Sequence, residues 1–134
     1  MPTTPLDEPT AQPLRLLLVD DEAIIRRAIH RLLALDFPGL ELSEVETIEA
    51  ALAAVGARPF DALLLDIGLP DGSGIDAIAP ILARRPGLPI LMVSSQPESQ
   101  YADVCRSAGA VDFVPKDQVP EALAGAIRRA LGLL

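Results

Sequence analysis

The chain has a single cysteine, Cys105, so no disulfide can close within it and its stability has to come from packing. That usage suits a reducing cytosol. Basic residues are scarce: 11 Lys and Arg stand against 19 Asp and Glu, for a net charge of −8. The chain therefore lacks the clustered cations that a nucleic acid backbone demands. The pairs Arg26-Arg27, Arg84-Arg85 and Arg128-Arg129 fall on separate predicted helices and read as solvated faces. No apolar run approaches the length of a membrane span. The N-terminus has no basic stretch leading into an apolar one, so it is not a secretory signal. A cytoplasmic domain is expected. What is present is a chain of 134 residues, half of them hydrophobic, enough for one domain with a core of its own.

Residues 1–13 carry Pro2, Pro5, Pro9 and Pro13 among Thr, Asp and Glu. Such a tail buries little and is expected to be disordered or extended. From Leu14 short apolar runs alternate with helical periodicity. Leu14 to Val19 reads as the first strand. Ile24, Ala28 and Leu32, with Ile25 and Ile29 beside them, give helix one over about Glu22 to Leu35, closed by Phe37-Pro38-Gly39. Strand two covers Leu40 to Val45, and its polar alternation suggests an edge. Helix two runs from Ile48 to about Ala57, and strand three from Ala62 to Asp66. A loop from Ile67 to Ser73 leads to helix three, with Ser73 and Asp76 spaced as a capping box and Ile75, Ile78 and Leu82 as its buried stripe. Strand four is Pro89 to Ser94. Pro97 opens helix four at the N1 position. Strand five, Val111 to Val114, ends at Pro115. Helix five begins at Pro120 and turns Leu123, Ile127, Ala130 and Leu131 inward.

Five strand–helix units predict an α/β fold: a doubly wound, five-stranded parallel sheet with helices on both faces. Ligands of such sheets bind beyond the carboxyl ends of the strands. The unusual polar residues all fall there: Asp20, Asp21, Asp66, Ser94 and Lys116. Three carboxylates converging at one edge repel, by about 4 kcal/mol for two of them 4 Å apart at an effective dielectric of 20. A divalent cation that takes oxygen ligands, such as Mg²⁺, would remove that penalty.

With these positions in place the chain resembles the receiver domains of two-component response regulators. The matching pieces are Val19-Asp20-Asp21-Glu22, Leu65-Asp66-Ile67-Gly68-Leu69-Pro70 with Gly74 after it, Met92-Val93-Ser94-Ser95, and Gly109-Ala110-Val111-Asp112-Phe113-Val114-Pro115-Lys116. Lys116-Asp117 and the texture of helix five look most like the subclass fused to LuxR-type DNA-binding domains. The resemblance implies a flavodoxin-like sheet of order 2-1-3-4-5 flanked by five helices, with the receiver occupying residues 14–134. It implies that Asp66 takes a phosphoryl group from a phosphohistidine on a sensor histidine kinase or a histidine phosphotransfer protein. Asp21 and Asp66 would then ligate Mg²⁺ directly and Asp20 through water, with the Gly68 carbonyl completing the protein's share. Lys116 and Ser94 would each contact a phosphoryl oxygen. Ser94 and Phe113 would form the switch, reshaping the face of helix four, strand five and helix five. Throwing such a switch takes about 5.5 kcal/mol of differential stabilisation. The protein would catalyse its own phosphorylation and dephosphorylation while acting mainly as a signal.

Some residues depart from the commonest receiver pattern. Ser94 stands where Thr is more frequent and Phe113 where Tyr is. Asp117 follows Lys116 where many relatives have Pro; a cis bond there costs about 2.5–4 kcal/mol without proline. Gly68 gives the phosphoryl group little cover, and Gln96 is placed to reach over it, so these two positions are expected to set the lifetime of the acyl phosphate. His30 reads as a solvent- or partner-facing residue, Cys105 as a half-buried helix residue, and Tyr101 as a surface aromatic. Gly72-Ser73-Gly74 permits a turn and binds no phosphate.

Three other functions are weaker. A phosphatase with an Asp nucleophile would need a second Asp at position 68, where Gly68 offers no general acid. A receiver fold kept only as an interaction module would not need the full set of acidic, hydroxyl and lysine positions. A dinucleotide enzyme lacks its G-x-G-x-x-G after strand one. Helix one and the loop after strand five are the expected kinase contact, by resemblance. A homodimer is compatible with the reading, whereas membrane or direct nucleic acid binding is not. No DNA-binding helix pair follows helix five, so the chain is either a regulator that acts by docking or the receiver half of a longer one.

Overall fold

The fold is described from a computed structural model, in which residues 13–133 are placed. All but Pro13 of the Pro-rich tail lies outside the described residues, as does Leu134. Five parallel strands, β1 (Arg15–Val19), β2 (Glu41–Val45), β3 (Ala62–Leu65), β4 (Ile90–Ser94) and β5 (Asp112–Pro115), form one sheet. In chain order the sheet reads β2-β1-β3-β4-β5, the expected order. Five helices flank it: α1 (Ala23–Asp36), α2 (Ile48–Ala57), α3 (Gly74–Arg84), α4 (Glu98–Ala108) and α5 (Val119–Ala130).

The central strands are apolar along their whole length because helices cover both faces. Alternation divides their side chains between two cores. Leu17, Val19, Leu63, Leu65, Ile90 and Met92 pack with α2, α3 and α4. Leu16, Leu18, Leu64, Leu91 and Val93 pack with α1 and α5. Each such leucine, fully buried, contributes roughly 1.5–3 kcal/mol relative to an exposed position. β2 lies at an edge, as its polar alternation suggested.

Local details differ from the sequence reading for identifiable reasons. β1 and β2 begin one residue later, at Arg15 and Glu41, β3 stops at Leu65, and β4 starts after Pro89. β5 extends through Pro115, which pairs opposite Ser94; an edge strand tolerates a residue that cannot donate. Lys116–Gln118 form a 3-10 turn into α5, and all described peptide bonds, including the one after Lys116, are trans. Pro97 is the N-cap of α4 rather than its first helical residue. The loop after β3 contains a short antiparallel hairpin, Gly68–Leu69 against Gly72–Ser73. Ser73 caps α3 by accepting from Ile75 N–H at 3.2 Å, one residue short of the capping-box pattern. In α3 Ala77, Ile78 and Ile81 are buried, whereas Ile75 and Leu82 are only partly so.

Of the apolar residues that gave α1 its helical spacing, only some face the core. Ile29 and Leu33 are buried, and Ile24 is 77% exposed. On α5 Leu123 and Ile127 are buried, with Ala130 and Leu131 at the margin. Cys105 is fully buried rather than half-buried, and burial pushes its thiol pKa up. Tyr101 packs partly against the core. Each arginine pair has a member anchored to another element. Arg26 binds Asp20 O, Arg85 donates to Val55 O at 2.7 Å, and the Arg128 guanidinium lies 4.9 Å from the centre of the Phe37 ring.

Two loop contacts hold the segment that follows β3. Gly74 N–H donates to Ile67 O at 2.6 Å, and a Cβ on Gly74 would stand 1.9 Å from the Asp66 carbonyl oxygen. Only glycine lets the start of α3 come this close to Asp66. Gly74→Ala is expected to lower stability by about 3 kcal/mol, the upper range of overpacking costs, read as a shifted urea midpoint. At the tip of the hairpin, the Asp71 carboxylate accepts from Ile48 N–H (2.9 Å) and Glu49 N–H (3.0 Å), capping α2 from outside it. Those two donors hold its pKa below the ordinary aspartate value. A depressed folded pKa contributes stability that is present above about pH 3.9 and lost as pH falls through the folded value. Asp71→Asn should therefore lower the urea midpoint at neutral pH, and its gap from the unaltered chain should close in acid.

Candidate functional site

The register of the sheet brings the strand ends together. Val19 pairs with Leu65, so Asp20 and Asp66 leave β1 and β3 side by side, with Asp66 N–H donating to Val19 O at 3.0 Å. Ser94 and Pro115 pair at the ends of β4 and β5, which places Lys116 at the same edge. Carboxylate oxygens of Asp20, Asp21 and Asp66 lie within 4.8 Å of one another. Asp20 is 1% exposed and Asp66 6% exposed, whereas Asp21 faces solvent.

Lys116 spans this cluster. Its Nζ lies 2.8 Å from Asp20 Oδ2, 2.9 Å from Asp66 Oδ2 and 2.7 Å from Glu22 Oε1. The remaining oxygens are held by main-chain donors: Asp66 Oδ1 accepts from Ile67 N–H at 2.7 Å and Asp20 Oδ1 from Glu22 N–H at 2.8 Å. Burial raises the Asp66 pKa, and the bond from Lys116 works against that rise. Burial also works against the charge on Lys116, but the carboxylates of Asp20, Glu22 and Asp66 more than reverse it and hold the ammonium protonated. Lys116 Nζ lies 2.8 Å from Asp20 Oδ2 as an ion pair with poor hydrogen-bond alignment, and among the described residues this buried oxygen has no other partner. Three carboxylates, one of them with a buried oxygen that only the Lys116 ammonium approaches, suit a hard divalent cation such as Mg²⁺.

The other expected positions lie around this cluster. Gly68 is in the first arm of the hairpin, two residues past Asp66, and a side chain there would meet nothing within 4 Å. Ser94 is 1% exposed and its Oγ accepts from Gln96 N–H at 3.0 Å, and among the described residues its hydroxyl hydrogen has no acceptor. Gln96 thus touches Ser94 through its main chain, and its side chain is exposed. Phe113 is buried beside Met92 in the core under α4. His30 is exposed, with Nδ1 at 3.1 Å from Glu44 Oε2. Sequence reasoning missed two contributors. Glu22 pairs with Lys116, a role its place beside the Asp pair could have suggested. Arg26 donates from Nη1 to Asp20 O at 2.7 Å, which nothing in a run of two arginines foretells.

Comparison with known proteins identifies the family. The family model described as "Response regulator receiver domain" matches residues 16–128. The DNA-binding transcriptional activator DevR/DosR of Mycobacterium tuberculosis is 34% identical over 116 residues, which cover 86% of this chain and 53% of that protein. The chain thus spans about half the length of that relative. A LuxR-family two-component response regulator from Aurantimonas sp. SI85-9A1 superposes with a TM-score of 0.83 at 29% identity, over 90% of this chain and 86% of that one. The receiver domain of a Pseudomonas aeruginosa PAO1 sensor histidine kinase, whose structure has a magnesium ion coordinated in its active site cleft, shares the fold. Its TM-score is 0.80 at 24% identity, over 90% of this chain and 99% of that one. Among the described residues no helix is long and apolar enough to cross a membrane. With the family match running from β1 into α5 and the acidic cluster at the strand ends, the chain belongs to the response regulator receiver domains of two-component systems.

Proposed function

We propose that this receiver is a phosphoacceptor switch in which Asp66 takes a phosphoryl group from a phosphohistidine of a sensor histidine kinase or phosphotransfer protein. The observation that carries the reading is the meeting of Asp20, Asp21, Asp66 and Lys116 at one sheet edge. Asp66 is the acceptor because its carboxylate is the better exposed of the two buried acids. Asp20 is sealed, at 1% exposed. In the transfer an Asp66 carboxylate oxygen forms a bond to phosphorus as the phosphorus–nitrogen bond to histidine breaks, leaving an acyl phosphate.

Asp21 and Asp66 would hold Mg²⁺ directly, Asp20 through water, and Gly68 through its carbonyl. Bound there, Mg²⁺ supplies charge neutralisation on the transferring oxygens. Lys116 is already protonated and beside Asp66, so it can turn from carboxylate to phosphoryl oxygen without taking up a proton. The uncommitted hydrogen of Ser94 can donate to a second oxygen. Movement of Ser94 toward the phosphoryl group would open space for Phe113 and so reshape the α4–β5–α5 face. The donor protein would meet α1 and the start of α5. Ile25, Leu32, Val119 and Pro120 line an apolar groove there next to Lys116, and Ile24 is exposed on the same helix.

Incubation with acetyl phosphate and Mg²⁺ should add one base-labile phosphate, seen by intact-mass spectrometry. Asp66→Asn should acquire none, and chelating the metal should block the reaction. Continuous release of inorganic phosphate from an unrelated phosphoester would indicate a phosphatase instead, and no phosphorylation at all an interaction module. Gly68 faces open space, so Gly68→Met should fold normally. Covering the phosphoryl group there is expected to slow its loss by up to about tenfold, or ~1.4 kcal/mol on the barrier, measured as decay of the phosphorylated species.

A further inference from the structure

We propose that Arg26 is a positioning residue that fixes the Asp20–Asp21 peptide plane and so aims Asp21 at the cation. The proposal rests on the reading above, in which Asp21 is a metal ligand. Asp21 is exposed, and among the described residues neither a hydrogen bond nor an ion pair reaches its carboxylate. Lys116 neutralises Asp20, Glu22 and Asp66 and leaves Asp21 aside. Three acidic groups that repel one another need a restraint on the one that is free to swing outward.

The restraint acts through the main chain. The Asp20 carbonyl and the Asp21 N–H and Cα share one planar peptide unit. Arg26 Nη1 donates to that carbonyl at 2.7 Å, and from the other side Asp20 N–H donates to Val45 O at 3.1 Å. With the carbonyl pinned, the direction in which the chain leaves toward Asp21 is set. Arg26 is in turn held on two sides. Its Nε donates to Glu44 Oε1 at 3.2 Å, and its Nη2 lies 3.7 Å from Glu46 Oε2. The side chain is 14% exposed, so the fork is partly shielded from water. A planar guanidinium serves the carbonyl and the two carboxylates from three separate nitrogens in a fixed fork, whereas an ammonium would have to reach all three from a single atom. The result is a brace from the end of β2 through α1 to the loop that carries the two acids.

The test titrates the full chain with Mn²⁺, a paramagnetic stand-in for Mg²⁺, and counts the free ion by electron paramagnetic resonance. Arg26→Gln should weaken Mn²⁺ binding by about tenfold, in the range seen when groups that orient metal ligands are removed. Phosphorylation by acetyl phosphate should slow at limiting Mg²⁺ and recover toward the unaltered rate at saturation. Arg26→Lys should fall between, and Glu44→Gln, which keeps the Asp20 bond but loosens its anchor, should show a smaller loss in the same direction. A residue with only a structural role would shift the urea midpoint and leave the dissociation constant of the folded protein unchanged. That result in Arg26→Gln, or in Arg26→Lys and Glu44→Gln should the first variant not fold, overturns the assignment. If the unaltered chain binds no Mn²⁺, the cation reading above fails along with this one. If it binds while the variants bind equally well, the Arg26 assignment alone fails.

Discussion

The Lys116 ammonium joins the ends of three strands. It reaches Asp20 after β1 and Asp66 after β3 from its own place after β5, with Glu22 as a third partner. It is the chain's one lysine. Buried carboxylates side by side are costly, and the cost is met only when a cation and well-placed donors surround them. Lys116, Ile67 N–H and Glu22 N–H supply part of that. Four carboxylates against one ammonium still leave the edge negative, and one buried oxygen of Asp20 has only a poorly aligned contact with that ammonium. The site is thus stable enough to fold and incompletely neutralised, the condition in which a divalent cation binds with most effect.

The fold makes this meeting possible at little expense elsewhere. In a sheet of order β2-β1-β3-β4-β5 the connections diverge on either side of β1 and β3, which opens a crevice at their carboxyl ends. The apolar strands need no polar residue along their length, so the charged groups collect where the strands emerge. Gly74 ties this arrangement to the start of α3, since its close approach to the Asp66 carbonyl fixes where the segment after β3 can run. Asp71 holds the tip of the same segment against α2. The backbone around Asp66 is therefore braced from two neighbouring helices, in keeping with a site that must keep its geometry while its charge changes.

Most of this was legible in the sequence because strand ends are. Short apolar runs closed by Asp20, Asp66 and Ser94 mark both the buried strands and the residues that leave them, and the order of the sheet followed from the family resemblance. The face of α1 was not legible. Ile24, Ile25, Ala28, Ile29, Leu32 and Leu33 satisfy two adjacent helical stripes, and only the direction in which α1 meets the sheet chooses Ile29 and Leu33. The hairpin at Gly68–Ser73 is too short to carry a strand pattern. Glu22 and Arg26 were hidden for a related reason. Charged residues in the first turns of a helix ordinarily point to water, and what recruits these two is a lysine 94 residues away in sequence for Glu22 and the end of a neighbouring strand for Arg26.

On the proposed reading, the same physics separates a switch from a hydrolase. A phosphatase needs a group that protonates its leaving oxygen and another that activates water at the acyl phosphate. Among the described residues, the titratable side chains around Asp66 are Lys116, held protonated, the carboxylates of Asp20 and Glu22 that it pairs with, and the exposed carboxylate of Asp21. Gly68, where a second acid would stand, offers no side chain at all. A phosphoryl group on Asp66 would meet donors and no base, which favours its persistence over its turnover. Persistence has a structural use only if the group's contacts reach the rest of the domain. Ser94 provides the route, since its oxygen is engaged with Gln96 while its hydrogen is free, at the end of a strand whose neighbour carries the buried Phe113. A core packed as closely as a crystal does not yield gradually. A shift of Ser94 that opens room beside Phe113 would therefore act on two discrete packings and carry the charge event at Asp66 to the α4–β5–α5 face.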